Sequence, residues 1–276
     1  MNSPAPDSPA AQGYRMPAEW EPHRATWLSW PHKRDSWPGH FEPVEPAYAE
    51  IVRALAACET VHINVLGADH QRHVEGILSR KDVSGDIHFH LFPTNDAWCR
   101  DHGAIFVVRK GKDAPLAAVD CDFNGWGGKY PPFDLDNRIA GQMAKELQAP
   151  AFRAGMVLEG GSIDTNGAGA MLTTEQCLLH PNRNPSMNRA AIEKRLKELF
   201  GLEQILWLGD GIVGDDTDGH VDDLTRFVTR DTVVTVVADD RDPENGPQLA
   251  ENLERLLGMQ LADCTPLKVV ELPMPS

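Results

Sequence analysis

Three acid-bearing stretches recur at nearly even spacing along this chain. They are Trp98-Cys99-Arg100-Asp101-His102-Gly103, Leu158-Glu159-Gly160-Gly161-Ser162 and Gly214-Asp215-Asp216-Thr217-Asp218-Gly219-His220-Val221-Asp222-Asp223. Asp101 and Glu159 lie 58 positions apart, and Glu159 and Asp222 lie 63 apart. Each stretch runs into an apolar or β-branched segment that reads as a strand: 104–108, 170–173 and 224–229. A carboxylate delivered beside a strand at such an interval points to repeated units converging on one centre. Several carboxylates around one imidazole form a site for a cation that undergoes proton transfer. Gathering them is costly unless something positive enters.

His220-Val221-Asp222 is the sharpest of these signals. In a strand, residues i and i+2 face the same side, so the imidazole and the carboxylate are expected to project together. Asp215, Asp216 and Asp218 are expected to raise the pKa of His220 and keep it cationic near neutral pH. An Asp-rich surface turn would leave the same residues behind, as would a calcium loop, although no Glu stands at the twelfth loop position. Trp98 and Asp101 supply an aromatic wall and a carboxylate, which suit a planar guanidinium. The plainer account is an Arg100–Asp101 pair capping a strand, and Glu159 could be a solvated residue beside a tight Gly-Gly turn. His88-Phe89-His90 and His70-Gln71-Arg72-His73 have metal-pair spacing but no Cys or carboxylate partner at ligand spacing, so no metal site is expected. No Gly-x-Ser-x-Gly, phosphate loop or dinucleotide fingerprint occurs in its proper context.

Elements that could position these residues alternate between α and β. Helices are expected at 46–58, 69–79, 138–147, 188–200 and 247–257, from apolar residues recurring at helical spacing. Strands are expected at 60–66, 86–92, 170–173, 176–180, 204–208, 232–238 and 267–272, with an extended segment at 25–30. Asn124–Pro132 reads as a loop at a surface or site rim, and Asn166-Gly167-Ala168-Gly169 as a hairpin-type turn. Residues 1–13 read as a disordered Pro/Ala/Ser-rich leader, and 14–276 as one domain.

The net charge, 26 − 41 = −15, argues against a nucleic-acid or anionic-membrane surface and suits a cationic ligand. The most apolar run, Val233–Ala238, is too short to span a bilayer. Five scattered cysteines without a Cys-x-x-Cys pattern read as reduced thiols in a cytoplasmic protein.

Four ordered motifs, Glu19-Trp20-Glu21-Pro22-His23, Asn95-Asp96-Ala97-Trp98-Cys99-Arg100-Asp101, Leu158-Glu159-Gly160-Gly161-Ser162 and Gly214–Asp222, together resemble the agmatine deiminases. These stand with the bacterial-type peptidylarginine deiminases in the guanidino-group-modifying superfamily. The likeness extends from Met16 to the C-terminus. It implies an α/β pentein propeller of five ββαβ units, expected to be incomplete at the C-terminus here. It also implies roles for the site residues. Asp101 and Asp222 would clamp the guanidinium, and His220 would act as general acid and then general base. Glu159 would support the imidazole or the substrate, Trp98 would pack against the guanidino end, and Asp216 would meet the distal amine of agmatine.

In such enzymes a cysteine thiolate attacks the guanidinium carbon, ammonia leaves, and water releases N-carbamoylputrescine, a step toward putrescine. No metal or organic cofactor is implied, and a homo-oligomer is. The family's nucleophile lies in a Gly-rich motif near the end of a longer chain, and no such motif occurs here. Cys58, Cys99, Cys121, Cys177 and Cys264 are therefore expected to be structural, and these 276 residues to be inactive alone. Cys99, inside a site motif, is the one substitute to weigh. A deiminase of free or peptidyl arginine and a non-catalytic binder of cations are the alternatives. An arginine carboxylate would call for a nearby Arg or Lys, whereas Asp215, Asp216 and Asp218 suit an amine.

Overall fold

The computed structural model describes residues 5, 7–111, 115–238 and 242–274. Four three-stranded sheets follow one another along the chain. The first joins β1 (Ala25–Ser29), β2 (Thr60–Asn64) and β3 (Ile87–His90), all parallel, through α1 (Val44–Ala56) and α2 (Ala68–Arg80). A short helical turn, α3 (Cys99–His102), leads into the second sheet, β4 (Ile105–Val108), β5 (Leu116–Asp122) and β6 (Ala151–Val157). The turn α4 (Gly125–Gly128) and the helix α5 (Ile139–Glu146) fill the β5–β6 connection.

The third sheet is β7 (Asp164–Thr165), β8 (Ala170–Thr174) and β9 (Gln204–Leu208), with α6 (Glu175–Leu178) and α7 (Arg189–Phe200) between its last two strands. The fourth is β10 (Thr225–Phe227), β11 (Thr232–Val237) and β12 (Lys268–Pro273), with α8 (Gly246–Gly258) crossing over. In sheets two to four the first strand is antiparallel to the second and the second parallel to the third. That is one ββαβ unit used three times, and it puts the same end of each sheet next to the chain that carries a station.

Local chemistry explains the helices. On α2, Val74, Ile77 and Leu78 fall at i, i+3 and i+4 and pack under the first sheet. On α7, Asn188 caps the N-terminus by accepting from Ala191 N at 3.0 Å, and Gly201 closes the C-terminus in the left-handed conformation. Its apolar stripe, Ile192, Leu196, Leu199 and Phe200, joins β4–β9 in a core shared by the second and third sheets. On α8, Asn252 is buried for a polar reason. It accepts from Gly209 N at 2.7 Å and donates to the Asp210 carbonyl at 2.8 Å, which pins the chain entering the third station.

Several sequence expectations change. Residues 176–180 are not a strand, because Thr174 Oγ1 accepts from Cys177 N and starts the α6 turn instead. Two strands, β5 and β6, carry no clear alternating pattern: β5 has two aspartates, and β6 has Gly155 at φ +62°. Within the expected leader, Ala10–Gln12 forms a 3-10 turn and Ser8 is buried, while residues 1–4 and 6 lie outside the described residues. The end of the segment expected as strand 232–238 stops at Val237. Among the described residues, no helix is long and apolar enough to cross a membrane.

Candidate active site

The three stations converge on Gly161. A methyl group placed there would lie 2.5 Å from His220 Nδ1, 2.8 Å from Asp222 Oδ2 and 2.9 Å from Asp101 Oδ1. At Gly160 a methyl would strike the Arg100 carbonyl. Neither residue is in the left-handed region, so both glycines serve close approach rather than turn geometry. His220 Nδ1 stands 3.8 Å from Asp101 Oδ1 and 3.9 Å from Asp222 Oδ1. Both oxygens of Asp101 are held: Gly161 N donates to Oδ1 and Trp126 Nε1 to Oδ2, each at 2.9 Å.

Each carboxylate arrives from a different element. Asp101 sits on α3, Glu159 follows β6, and Asp222 lies in a 3-10 turn (Val221–Asp223) ahead of β10. The i, i+2 strand geometry expected for His220 and Asp222 is therefore not the device used. Asp215 shapes the preceding loop instead. Its Oδ1 accepts from Thr217 N and Oγ1 (2.7 and 2.6 Å), and its Oδ2 accepts from Gly219 N and His220 N (2.7 and 3.2 Å). The Glu19 motif braces the site from outside. Glu19 pairs with Arg100 and, at 2.5 Å, with Arg226, whose guanidinium also reaches Asp164 at 3.2 Å.

Burial is the largest cause of every pKa shift in the cluster. Burial raises the pKa of Asp101, and burial together with the Asp101 charge raises Asp222 to about 7. Burial also raises Glu159, against the pull of Arg183 and His220. His220 moves opposite to the sequence expectation. Its imidazole is buried, and desolvation lowers its pKa to about 4 although Glu159 and Asp215 oppose the shift. The acidic field invoked for it is largely spent elsewhere. Asp218 is bound by Lys129 Nζ (2.5 Å), Arg183 Nη1 (2.6 Å) and Asn182 Nδ2 (3.1 Å).

Asp101, Glu159, His220 and Asp222 thus come together, while the contacts of Trp98 and Asp216 are with other residues. Trp98 is 42% exposed and stacks on Trp37 at 5.5 Å. The indole bonded to a cluster carboxylate is that of Trp126, held at φ +55° between Phe123 and Tyr130. Asp216 is exposed on the rim, where the Tyr130 hydroxyl bonds its carboxylate and Lys129 Nζ its carbonyl at 2.8 Å. Sequence reasoning missed Trp126 and Arg183. An aromatic inside the Gly125-Trp126-Gly127-Gly128 run was a readable sign for the first, since bulk amid glycines marks a built position. Arg183 had no local sign.

Burial pushes up the thiols of three of the cysteines. Cys121 and Cys177 are buried with their thiols pushed well up, and burial raises Cys99 to about 12. Cys58 and Cys264 are exposed. Glu159, Cys177 and His220 place ligand atoms within 4.8 Å of one another. The Arg183 guanidinium 2.7 Å from Glu159 works against a metal cation there.

Residues 15–276 match the family model for Porphyromonas-type peptidyl-arginine deiminases. The agmatine deiminase of Pseudomonas aeruginosa (strain LESB58) is 36% identical over 280 residues, spanning 100% of this chain and 74% of the relative. The solved agmatine deiminase of Enterococcus faecalis superposes with a TM-score of 0.89 at 33% identity, covering 97% of this chain and 73% of that one. A Cys-to-Ser variant of the C. jejuni agmatine deiminase, solved with substrate bound, gives 0.82 at 35% identity, covering 95% and 74%.

Proposed function

The chain belongs to the Porphyromonas-type peptidyl-arginine deiminase family, and from that premise we propose that it is an agmatine deiminase, releasing ammonia and N-carbamoylputrescine from agmatine and water on the way to putrescine. The observation that carries this is the convergence of Asp101, Glu159, Asp222 and His220 on Gly161, with carboxyl groups whose pKa values burial raises. A guanidinium entering between Asp101 and Asp222 would offset their negative charge, and two planar carboxylates suit its two N–H edges. We further propose the five-unit pentein propeller as the architecture, with three ββαβ units and the first sheet in support.

In this mechanism a thiolate attacks the guanidinium carbon and forms a C–S bond. The imidazole, whose pKa burial lowers to about 4, takes the thiol proton and delivers it to the departing ammonia as the C–N bond breaks. Water then adds to the thiouronium carbon, His220 removes its proton, and the thiolate leaves with the carbamoyl product formed. Glu159 stabilises the imidazolium in both steps. Burial raises the pKa of Cys99, Cys121 and Cys177, so none of these three is assigned as the nucleophile. No metal or organic cofactor enters the scheme.

Agmatine is favoured over arginine because the cations near Asp216 are already engaged. Lys129 and Arg183 both bind Asp218, leaving the exposed Asp216 carboxylate to meet a distal ammonium. The protein expressed from its full native reading frame should release ammonia from agmatine, with arginine at least roughly 10²-fold slower in kcat/KM, the scale set by polar mismatch in a built site. Equal turnover of both, or arginine alone, would move the assignment to the arginine deiminases.

A further inference from the structure

We propose that Arg183 is a positioning residue, one buried guanidinium that aligns Glu159 beside His220 and fastens the His220-bearing loop to the same point. The inference rests on the deiminase reading and deepens it. The Arg183 side chain is 0% exposed, as is that of Glu159. Its Nε donates to Glu159 Oε1 at 2.7 Å, Nη1 to Asp218 Oδ2 at 2.6 Å and to Asn182 Oδ1 at 2.9 Å, and Nη2 to the Thr217 carbonyl at 2.8 Å. One edge of the fork thus faces the cluster and the other faces the loop that ends in His220. Because Arg183 engages only Oε1, Glu159 Oε2 is left without a hydrogen-bond partner, as is His220 Nε2. A carboxylate oxygen of Glu159 and a ring nitrogen of His220 lie within 4.8 Å of each other, so the Glu159 carboxylate is available to an imidazole that becomes protonated during turnover.

The second rim loop leans on the same hub. A methyl at Gly127 would collide with Asn182 and come within 2.8 Å of Arg183 Nη1. Asn124 Nδ2 donates to the Asn182 carbonyl at 2.9 Å, and Lys129 shares Asp218 with Arg183. Trp126, the indole donor to Asp101, sits on this loop. Displacing one guanidinium therefore loosens Glu159, the approach to His220 and the support of Asp101. A lysine cannot replace it, since a single ammonium does not reach the cluster and the loop in a fixed fork geometry.

Charge gives the inference a signature that packing alone would not. The ionisable groups around Glu159 are Arg183, His220, Asp101, Cys177 and Cys121. Burial and Asp101 favour its protonated form, while Arg183 and His220 favour the carboxylate. Removing Arg183 therefore raises the pH at which Glu159 ionises. Support of an imidazolium needs the ionised form, so the acid limb of the kcat–pH profile must move to higher pH.

The test uses the full-length enzyme with Arg183→Gln and Arg183→Lys, following kcat and KM for agmatine across pH. In parallel, carboxyl infrared spectra of the ligand-free proteins would follow Glu159, its band identified by its loss in Glu159→Gln. Arg183→Gln should cut kcat by roughly 10²-fold with KM nearly unchanged and move the acid limb and the Glu159 titration up by at least about one pH unit. Arg183→Lys should restore most of the shift but less of kcat. A uniform fall with both titrations in place would overturn the proposal and leave Arg183 a packing residue. If Arg183→Gln does not fold, Asp218→Asn, at the partly exposed end of the same fork, should still lower kcat roughly tenfold, and an unchanged kcat would count against the coupling. A wild-type enzyme that processes no guanidino compound would end the deiminase reading instead, while a displaced Glu159 titration would leave the charge coupling standing.

Discussion

At the scale of single residues, the site is an arrangement of groups whose ionisation is unfavourable until a cation arrives. Asp101, Glu159, His220 and Asp222 were legible in the sequence because a carboxylate or imidazole set among glycines has little packing value. Their charge states were not legible, since desolvation depends on which distant segments close over them. That is why His220 is held at about 4 rather than raised by its acidic neighbours. Arg183 was hidden for the same reason: its partners lie 24 and 35 positions away. In the full-length enzyme, His220→Ala and Asp222→Asn should each lower turnover of agmatine by at least ~10²-fold, while Cys99→Ser stays within a few-fold; a dead, folded Cys99→Ser enzyme would make that thiol the nucleophile. The pH dependence follows from Asp222. Its folded pKa of about 7 is above the unfolded value, so between those values the native state holds the extra proton and stability falls as pH rises. Agmatine, binding the ionised form, should raise Tm more at pH 8 than at pH 5.5, and the reverse order would contradict the clamp assignment.

At the scale of elements, the long periodic helices and the apolar strands were readable, whereas β5 and β6 were not, because both faces of β5 are largely buried and β6 is broken by Gly155. The Gly160-Gly161 pair looked like an ordinary turn, yet its lack of side chains is what allows three stations to meet. Gly161→Ala puts a methyl within 3 Å of three site atoms on two elements, and its φ permits alanine, so the fold should survive. We expect agmatine affinity to fall beyond detection by calorimetry while the far-UV spectrum and the core proton shifts persist. Retention of wild-type affinity would show that the cluster opens more easily than its packing implies.

At the scale of the molecule, repetition was readable from the spacing of acidic stations, but the order of strands and the all-parallel first sheet were not, since no local pattern records them. The fourth sheet ends in β12, whose Val270 and Leu272 are 47% and 48% exposed on the side facing away from the Val233–Leu256 core. The central claim, that Asp101 and Asp222 form a guanidinium clamp, is tested most directly by calorimetric titration with agmatine and with putrescine, which keeps the amine and lacks the guanidino group. The clamp predicts heat of binding for agmatine, at least about tenfold weaker binding for putrescine, and loss of that preference in Asp101→Asn and Asp222→Asn. Equal binding of the two amines, or a preference that survives both substitutions, would contradict it.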